Sequence, residues 1–349
     1  MERTVQKRIY NYDLIRIIAF FGVLFIHVFV VPQADNLVGI ASWLRYIIHL
    51  FGRISFFMFF ILSGALHLNS DDEKLSKFYF KKLIKIIIPF LLYEIIYYII
   101  DPLQSFSKCG RSFFYCVLNN KTYIHMWFIY SIVSIYISTP FLKKMCKALG
   151  DKELFNLFLL ILFISFVLNL LPVFNVNIYF PDTIFTGNVA YFLIGYIVTN
   201  CSILKKKHRL LYCLGGISFF ISLFLIKFGI YEFVDNFLYS PFMFIMVPSL
   251  FMFLSNINLS KFNKNVLEKM SYYTFDLYFI HILVIAFLVK LSEYCYSYFN
   301  NISIWRIVMF VITYVTSFIL SVFIRNIIVN PAINFFKFID SKTFKFLEK

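Results

Sequence analysis

Apolar residues in this chain run in long blocks, and polar residues interrupt them at intervals close to the thickness of a bilayer. A spanning helix needs about 20 mostly apolar residues. Ten stretches fit, at 14–31, 48–68, 83–100, 126–142, 154–174, 184–201, 210–228, 238–256, 272–291 and 304–325, the seventh and eighth with the weakest edges. The first is not a cleaved leader, because it is long, carries Arg16 and His27, and has no small-x-small cleavage site after it. No polar block is long enough to form a soluble domain. The pattern predicts an all-α fold, a polytopic transmembrane helix bundle of about ten spans, as one membrane-embedded domain over 1–331. Residues 332–349 mix Phe335, Phe336, Phe338, Phe344 and Phe346 with lysines and read as an amphipathic cytoplasmic tail on the inner leaflet, a disordered tail being the alternative.

Composition agrees. The 349 residues are 61% hydrophobic and 21% aromatic, with a mean hydropathy of +0.79, whereas soluble domains run nearer 45–50% apolar. The net charge of +15 lies in short clusters between the apolar blocks. Arg3, Lys7 and Arg8 precede the first block. Lys74, Lys77, Lys81, Lys82 and Lys85 follow the second. Lys143, Lys144, Lys147 and Lys152 follow the fourth. Lys205, Lys206, Lys207 and Arg209 follow the sixth, Lys261, Lys264 and Lys269 the eighth, and Lys337, Lys342, Lys345 and Lys349 close the chain. The alternate loops hold only Arg45, Lys108, Arg111 and Lys121. This positive-inside bias places both termini in the cytoplasm. It also excludes nucleic-acid binding, since no soluble basic face exists to carry it. Of the six cysteines, Cys109 and Cys116 share one outer loop, where a disulfide is one option; no spacing fits a zinc site or any other metal site.

Ionisable groups inside a bilayer are costly and are candidates for function. Among those within the expected spans, the candidates are Arg16, His27, Arg53, Glu94, Asp276 and His281. Asp13 and Arg16, three apart, are helical neighbours. Arg16 and His27 are eleven apart, about three turns plus roughly 20°, so all three share one face, with a rise of about 16 Å from Arg16 to His27. An anion held at the rim could extend a thin arm along that face. The plainer alternative is a snorkelling arginine and a histidine bonded to a neighbouring helix. His49 and Arg53 lie one turn apart, and Arg53 either pairs with Glu94 or meets an anionic or sugar ligand. Ser63 and Gly64 suit close helix packing. Asn169 and Asn188 suit interhelical hydrogen bonds. His125, Trp127 and Tyr130 mark the outer start of the fourth span, as site residues or as an interfacial aromatic belt. Tyr278 and His281 share a face, whereas Asp276 and His281, five apart, do so poorly. There is no GxSxG elbow, P-loop or HExxH. A deep histidine without a recognisable nucleophile favours acid–base work on a hydroxyl.

Five segments resemble acyltransferase family 3, integral membrane O-acyltransferases that decorate bacterial surface polysaccharides. They are YDLIRIIAFFGVLFIH at 12–27, RISFFMFFILSGALHL at 53–68, FYFKKLIKIIIPFLLYEII at 78–96, HMWFIYSIVSIYISTPFLKK at 125–144 and SYYTFDLYFIHILV at 271–284. They occur in family order, the fourth being similar to the acetyltransferase branch. The resemblance implies transfer of an acetyl or other short acyl group from cytoplasmic acyl-CoA to a sugar hydroxyl of a polysaccharide or its lipid-linked precursor. It implies no permanently bound cofactor, acetyl-CoA as donor substrate, membrane lipid as surroundings, and a multi-pass place in the bacterial inner membrane. It implies a catalytic set of His27, Arg16 and His281, donor contacts from Arg16, Lys82 and Lys85, and a substrate cavity of Asp13, Arg53, Glu94, His125, Trp127 and Tyr278. Lysines stand at 81, 82 and 85 where the family often has arginines, which loses bidentate phosphate recognition, and Ile282 follows His281 where proline is common. The alternative is a transporter or flippase for polysaccharide precursors, although the chain has only 11 glycines and no paired broken helices of the transporter kind. A sensor module without chemistry is a third reading, disfavoured by the lack of a fused signalling domain.

Overall fold

A computed structural model of the chain describes residues 8–30, 40–101, 103–174, 176, 187–228, 240–295 and 302–347. Arg3, Lys7, Lys349 and the terminal residues of the first, sixth and eighth expected spans lie outside the described residues. Each of the ten apolar stretches contains a helix, and no strand occurs among the described residues. Helix α1 is Tyr10–Phe25 and widens into a π turn, Ile26–Val30. Helix α2 is Ile40–His67, α3 is Leu75–Lys82, and a π turn at Leu83–Ile87 leads into α4, Ile88–Ile100. The short α5, Ser105–Cys109, and α6, Phe113–Leu118, precede α7, Trp127–Ala148, and α8, Asp151–Leu170. Then come α9, Asn188–Asn200, α10, Ser202–Lys206, α11, His208–Lys227, α12, Pro241–Ser255, and α13, Lys264–Cys295. Helix α14, Ile302–Ile324, passes through a π turn at Arg325–Val329 into α15, Asn330–Leu347, where Phe335, Phe336 and Phe338 are exposed. Among the described residues seven helices are long and apolar enough to cross a membrane. The other expected spans fall on α7, α9 and α12, of 22, 13 and 15 residues. The chain is an all-α polytopic membrane bundle.

The π turns have a legible cause. Each ends two residues before a proline: Val30 before Pro32, Ile87 before Pro89, Val329 before Pro331. Proline has no N–H to donate, and its ring presses on the carbonyl four residues back. For Pro89 and Pro331 those carbonyls belong to Lys85 and Ile327, both inside the widened turns; Pro32 lies outside the described residues. Pro140 and Pro248 sit inside α7 and α12 without such a turn, so proline permits the wide turn rather than forcing it.

Two compact units divide the chain: Met1–Ser70 with Phe141–Thr274, and Asp71–Pro140 with Phe275–Lys349. In the first, α1 packs on α2, α2 on α9, and α11 on α12. Close approach comes from small residues, as their positions suggested. A Cβ placed on Gly64 of α2 would land on the carbonyl of Phe192 in α9, and one on Gly195 of α9 would land on the carbonyl of Ile61 in α2. The rings of Phe57, Tyr191 and Phe244 stack at 3.9 and 4.3 Å across α2, α9 and α12. Gly64→Ala is expected to cost about 1–3 kcal/mol, the usual penalty of overpacking. Thermal unfolding of the detergent-solubilised variant checks this; an unchanged midpoint would mean the two backbones can part freely.

In the second unit, Tyr97 of α4 places its hydroxyl inside the hydrogen-bond ladder of α13. It donates to the carbonyl of Phe279 at 2.6 Å and accepts from the N–H of Leu283 at 3.1 Å. The hydroxyl thereby bridges a carbonyl and an N–H that flank His281 on α13. Tyr93 stacks on Phe279 at 4.6 Å. Cys109 and Cys116 form a disulfide that ties α5 to α6, which realises the option left open by their shared loop.

Candidate active site

The charged end of α1 holds a compact ionic cluster in the first unit. Asp13 is buried at 4% exposure, so its carboxylate needs partners on both oxygens. Arg16 Nη1 donates to Asp13 Oδ1 at 3.2 Å. Ser271 Oγ donates to the same oxygen at 2.7 Å and accepts from Arg16 Nη1 at 2.6 Å. Arg8 donates from Nε to Oδ2 at 2.7 Å and from Nη2 to Oδ1 at 3.1 Å. Its Nη1 reaches Glu268 at 3.1 Å. Arg8 lies before the span, and its hydrogen bond to Asp13 raises its pKa above the ordinary arginine value. One carboxylate thus orients two guanidiniums, and Arg16 keeps 29% of its side chain exposed. The Asp13–Arg16 pair is the expected one. Arg8 entered the sequence reading only as a loop charge, and Ser271 had no local signal, being more than 250 residues away in sequence.

Eleven residues on, His27 is half-buried in the first π turn. The α-helical phase holds through Phe25, so the shared-face calculation carries to within two residues of the imidazole. On α2, Arg53 Nε donates to His49 Nε2 at 3.1 Å. That nitrogen is therefore the acceptor of a neutral imidazole.

The second unit gathers another group. His125, Tyr278 and His281 are buried. The Tyr278 hydroxyl donates to the carbonyl of His125. The His125 ring lies 5.5 Å from His281 and 5.6 Å from Tyr97. His281 Nδ1 faces the carbonyl of Leu277 at 3.2 Å, which turns Nε2 to the other side of the ring. Trp127 is half-buried with its ring edge-on to Phe128, 6.2 Å between centroids. Glu94, fully buried, accepts from Thr122 Oγ1 at 3.0 Å, and its Oε2 has no hydrogen-bond partner among the described residues. Lys82 places its ammonium 3.8 Å from the centre of the Tyr136 ring, while Lys85 is exposed in the second π turn. Asp276 is fully buried between Arg325 Nη1 at 2.7 Å and the Tyr93 hydroxyl at 3.0 Å. Arg325 escaped the sequence reading because it sits at the end of the last apolar block. Among the described residues, each of the three π turns carries an ionisable side chain, His27, Lys85 or Arg325, and wide turns of this kind recur at functional sites.

No group of His, Cys, Asp and Glu among the described residues is arranged to hold a metal ion. The available chemistry is that of imidazoles, guanidiniums and hydroxyls, suited to proton transfer and to holding an anion. A family model described as an acyltransferase domain matches residues 9–325. No curated protein and no solved structure matches the chain.

Proposed function

The chain belongs to acyltransferase family 3, and on that premise we propose that this membrane acyltransferase moves an acetyl or other short acyl group from acyl-CoA to a sugar hydroxyl. The acceptor is a cell-surface polysaccharide or its lipid-linked precursor, and the setting is the bacterial inner membrane. The observation that carries this reading is the layout of α1. Asp13 and Ser271 fix Arg16 at the charged end, and His27 follows eleven residues along the same helix.

Arg16 holds the donor's phosphates. His27 takes the proton from the acceptor hydroxyl as its oxygen attacks the thioester carbonyl. The carbon–sulfur bond then breaks, the sulfur leaves as thiolate and is protonated, and His27 returns to its neutral form. Arg53, steadied by His49, steadies the negative charge that develops on the carbonyl oxygen. The second unit supplies its own candidates. Taken by itself, that unit offers His281 as an acid–base group, Lys82 and Lys85 as anion contacts, and His125, Trp127, Tyr278 and Glu94 as hydrogen-bonding groups for a sugar.

Membranes carrying the protein, incubated with radiolabelled acetyl-CoA, are expected to place label in polysaccharide or a lipid-linked sugar. Failure with acetyl-CoA and with other short acyl-CoAs, alongside transport of the undecorated precursor into liposomes, would sink the proposal. A finer prediction concerns Ser271. Ser271→Ala removes one hydrogen bond that aims Arg16, worth about 1 kcal/mol. The KM for acyl-CoA is expected to rise about fivefold with kcat nearly unchanged. A fall in kcat at constant KM would move Ser271 from donor binding to the chemical step.

A further inference from the structure

A cavity of about 680 Å³ opens in the first unit and is used by none of the roles above. Its walls come from the start of α1, the end of α9, α10, the start of α11 and the end of α12. By the distribution of basic residues these are all cytoplasmic ends. The residues that give it character are Tyr12, Lys205, His208, Tyr212, Phe251 and Asn256.

Three properties narrow what would fit. The walls are aromatic: Tyr12 lies 5.8 Å from Phe251, and Tyr212 lies 5.6 Å from His208. The polar edge is an amide, since Asn256 Nδ2 donates to the Tyr212 hydroxyl at 3.2 Å and to the Met252 carbonyl at 3.0 Å, leaving its Oδ1 as an acceptor. The rim is cationic, with Lys205 in the lining, Lys206, Lys207 and Arg209 beside it in sequence, and no acidic residue among those that line it. Aromatic faces stack on a flat base, an amide can read the edge of a purine, and lysines attract phosphate. The mouth is also held in shape. Asn11 of α1 donates to the carbonyls of Leu254 and Ile257 at 3.0 and 2.9 Å, tying the end of α12 to α1.

The cavity stands in register with the proposed chemistry. Tyr12 precedes Arg16 by one helical turn, about 6 Å, and His27 lies about 16 Å beyond Arg16. The pantetheine arm of CoA runs about thirteen bonds from phosphorus to sulfur, roughly 16 Å when extended. We propose that this cavity binds the 3′-phosphoadenosine end of the donor, with the pyrophosphate at Arg16 and the thioester at His27. This rests on the reading of acyl-CoA as donor.

The test uses the full chain in nanodiscs of zwitterionic lipid, with adenosine 3′,5′-bisphosphate as the probe. The native protein is expected to bind it. Tyr212→Ala and Lys205→Glu each weaken binding about tenfold, whereas Tyr212→Phe, which keeps the ring, changes it by less than about threefold. Ribose 3,5-bisphosphate, which has the phosphates but no base, is expected to bind poorly and to be indifferent to Tyr212→Ala. Equal binding of the two probes would make the cavity a plain phosphate or lipid-headgroup site and overturn the proposal, as would no binding to the native protein. Acyl transfer with an unchanged KM for acyl-CoA in both weakened variants would remove the cavity from donor binding and leave the acyltransferase reading intact. Probe binding that follows the variants in a protein that transfers no acyl group would overturn the donor reading and leave a nucleotide site.

Discussion

His27→Ala is expected to lower acyl transfer by about 10²- to 10⁴-fold, the range a positioned general acid–base contributes, while the protein still inserts and still binds donor. The expectation follows from what the helix does around this residue. The π turn Ile26–Val30 puts one extra residue into the turn that carries His27, and the imidazole is left half-buried rather than packed away. No other titratable side chain lies between Arg16 and His27 on α1. Loss of His27 therefore removes the only proton acceptor this helix can offer at that depth. The measurement is label transfer from acyl-CoA with the amount of protein in the membrane held equal, paired with donor binding. Unimpaired transfer by a well-inserted His27→Ala protein would eliminate the proposed base. Lost transfer with lost donor binding would instead reassign His27 to holding the donor.

How far the sequence led depends on the range of the interaction. Apolar length is a local property, and each of the ten stretches it marked contains a helix, whereas the short α3, α5, α6 and α10 fall between them. Spacing of three or four is also local, and it paired Asp13 with Arg16, Tyr278 with His281, and His49 with Arg53. Gly64 was legible as a packing residue because its smallness is its function. What stayed hidden is long-range. Ser271 meets Asp13, Arg325 meets Asp276, and Thr122 takes the buried Glu94 carboxylate; no spacing rule reaches across those separations. Tyr97 is the clearest case. An apolar-looking tyrosine in the middle of an isoleucine-rich helix gave no hint that its hydroxyl would enter the ladder of α13 beside His281. The π turns are intermediate. Their cause, a proline two residues on, is printed in the sequence, but Pro140 and Pro248 show that the proline alone does not predict the turn.

Asp276→Ala is expected to be the most destabilising single change in the second unit, at about 3–5 kcal/mol. Its carboxylate is fully buried and Arg325 is 14% exposed. The guanidinium therefore sits in a place where neither water nor a lipid headgroup can readily replace the carboxylate. Truncating Asp276 leaves that charge behind and also takes a partner from the Tyr93 hydroxyl. Removing both charges is a different experiment, because an apolar pair of similar volume avoids the desolvation that the ion pair must offset. The double variant Asp276→Leu with Arg325→Met is therefore expected to recover most of the loss, and the coupling between the two sites in a double-mutant cycle should exceed about 2 kcal/mol. Reversible unfolding in mixed micelles measures all four proteins. Additive losses in the double variant would show that the two side chains do not depend on each other. Recovered stability with lost acyl transfer would show that the buried pair is retained for the reaction and not for the fold.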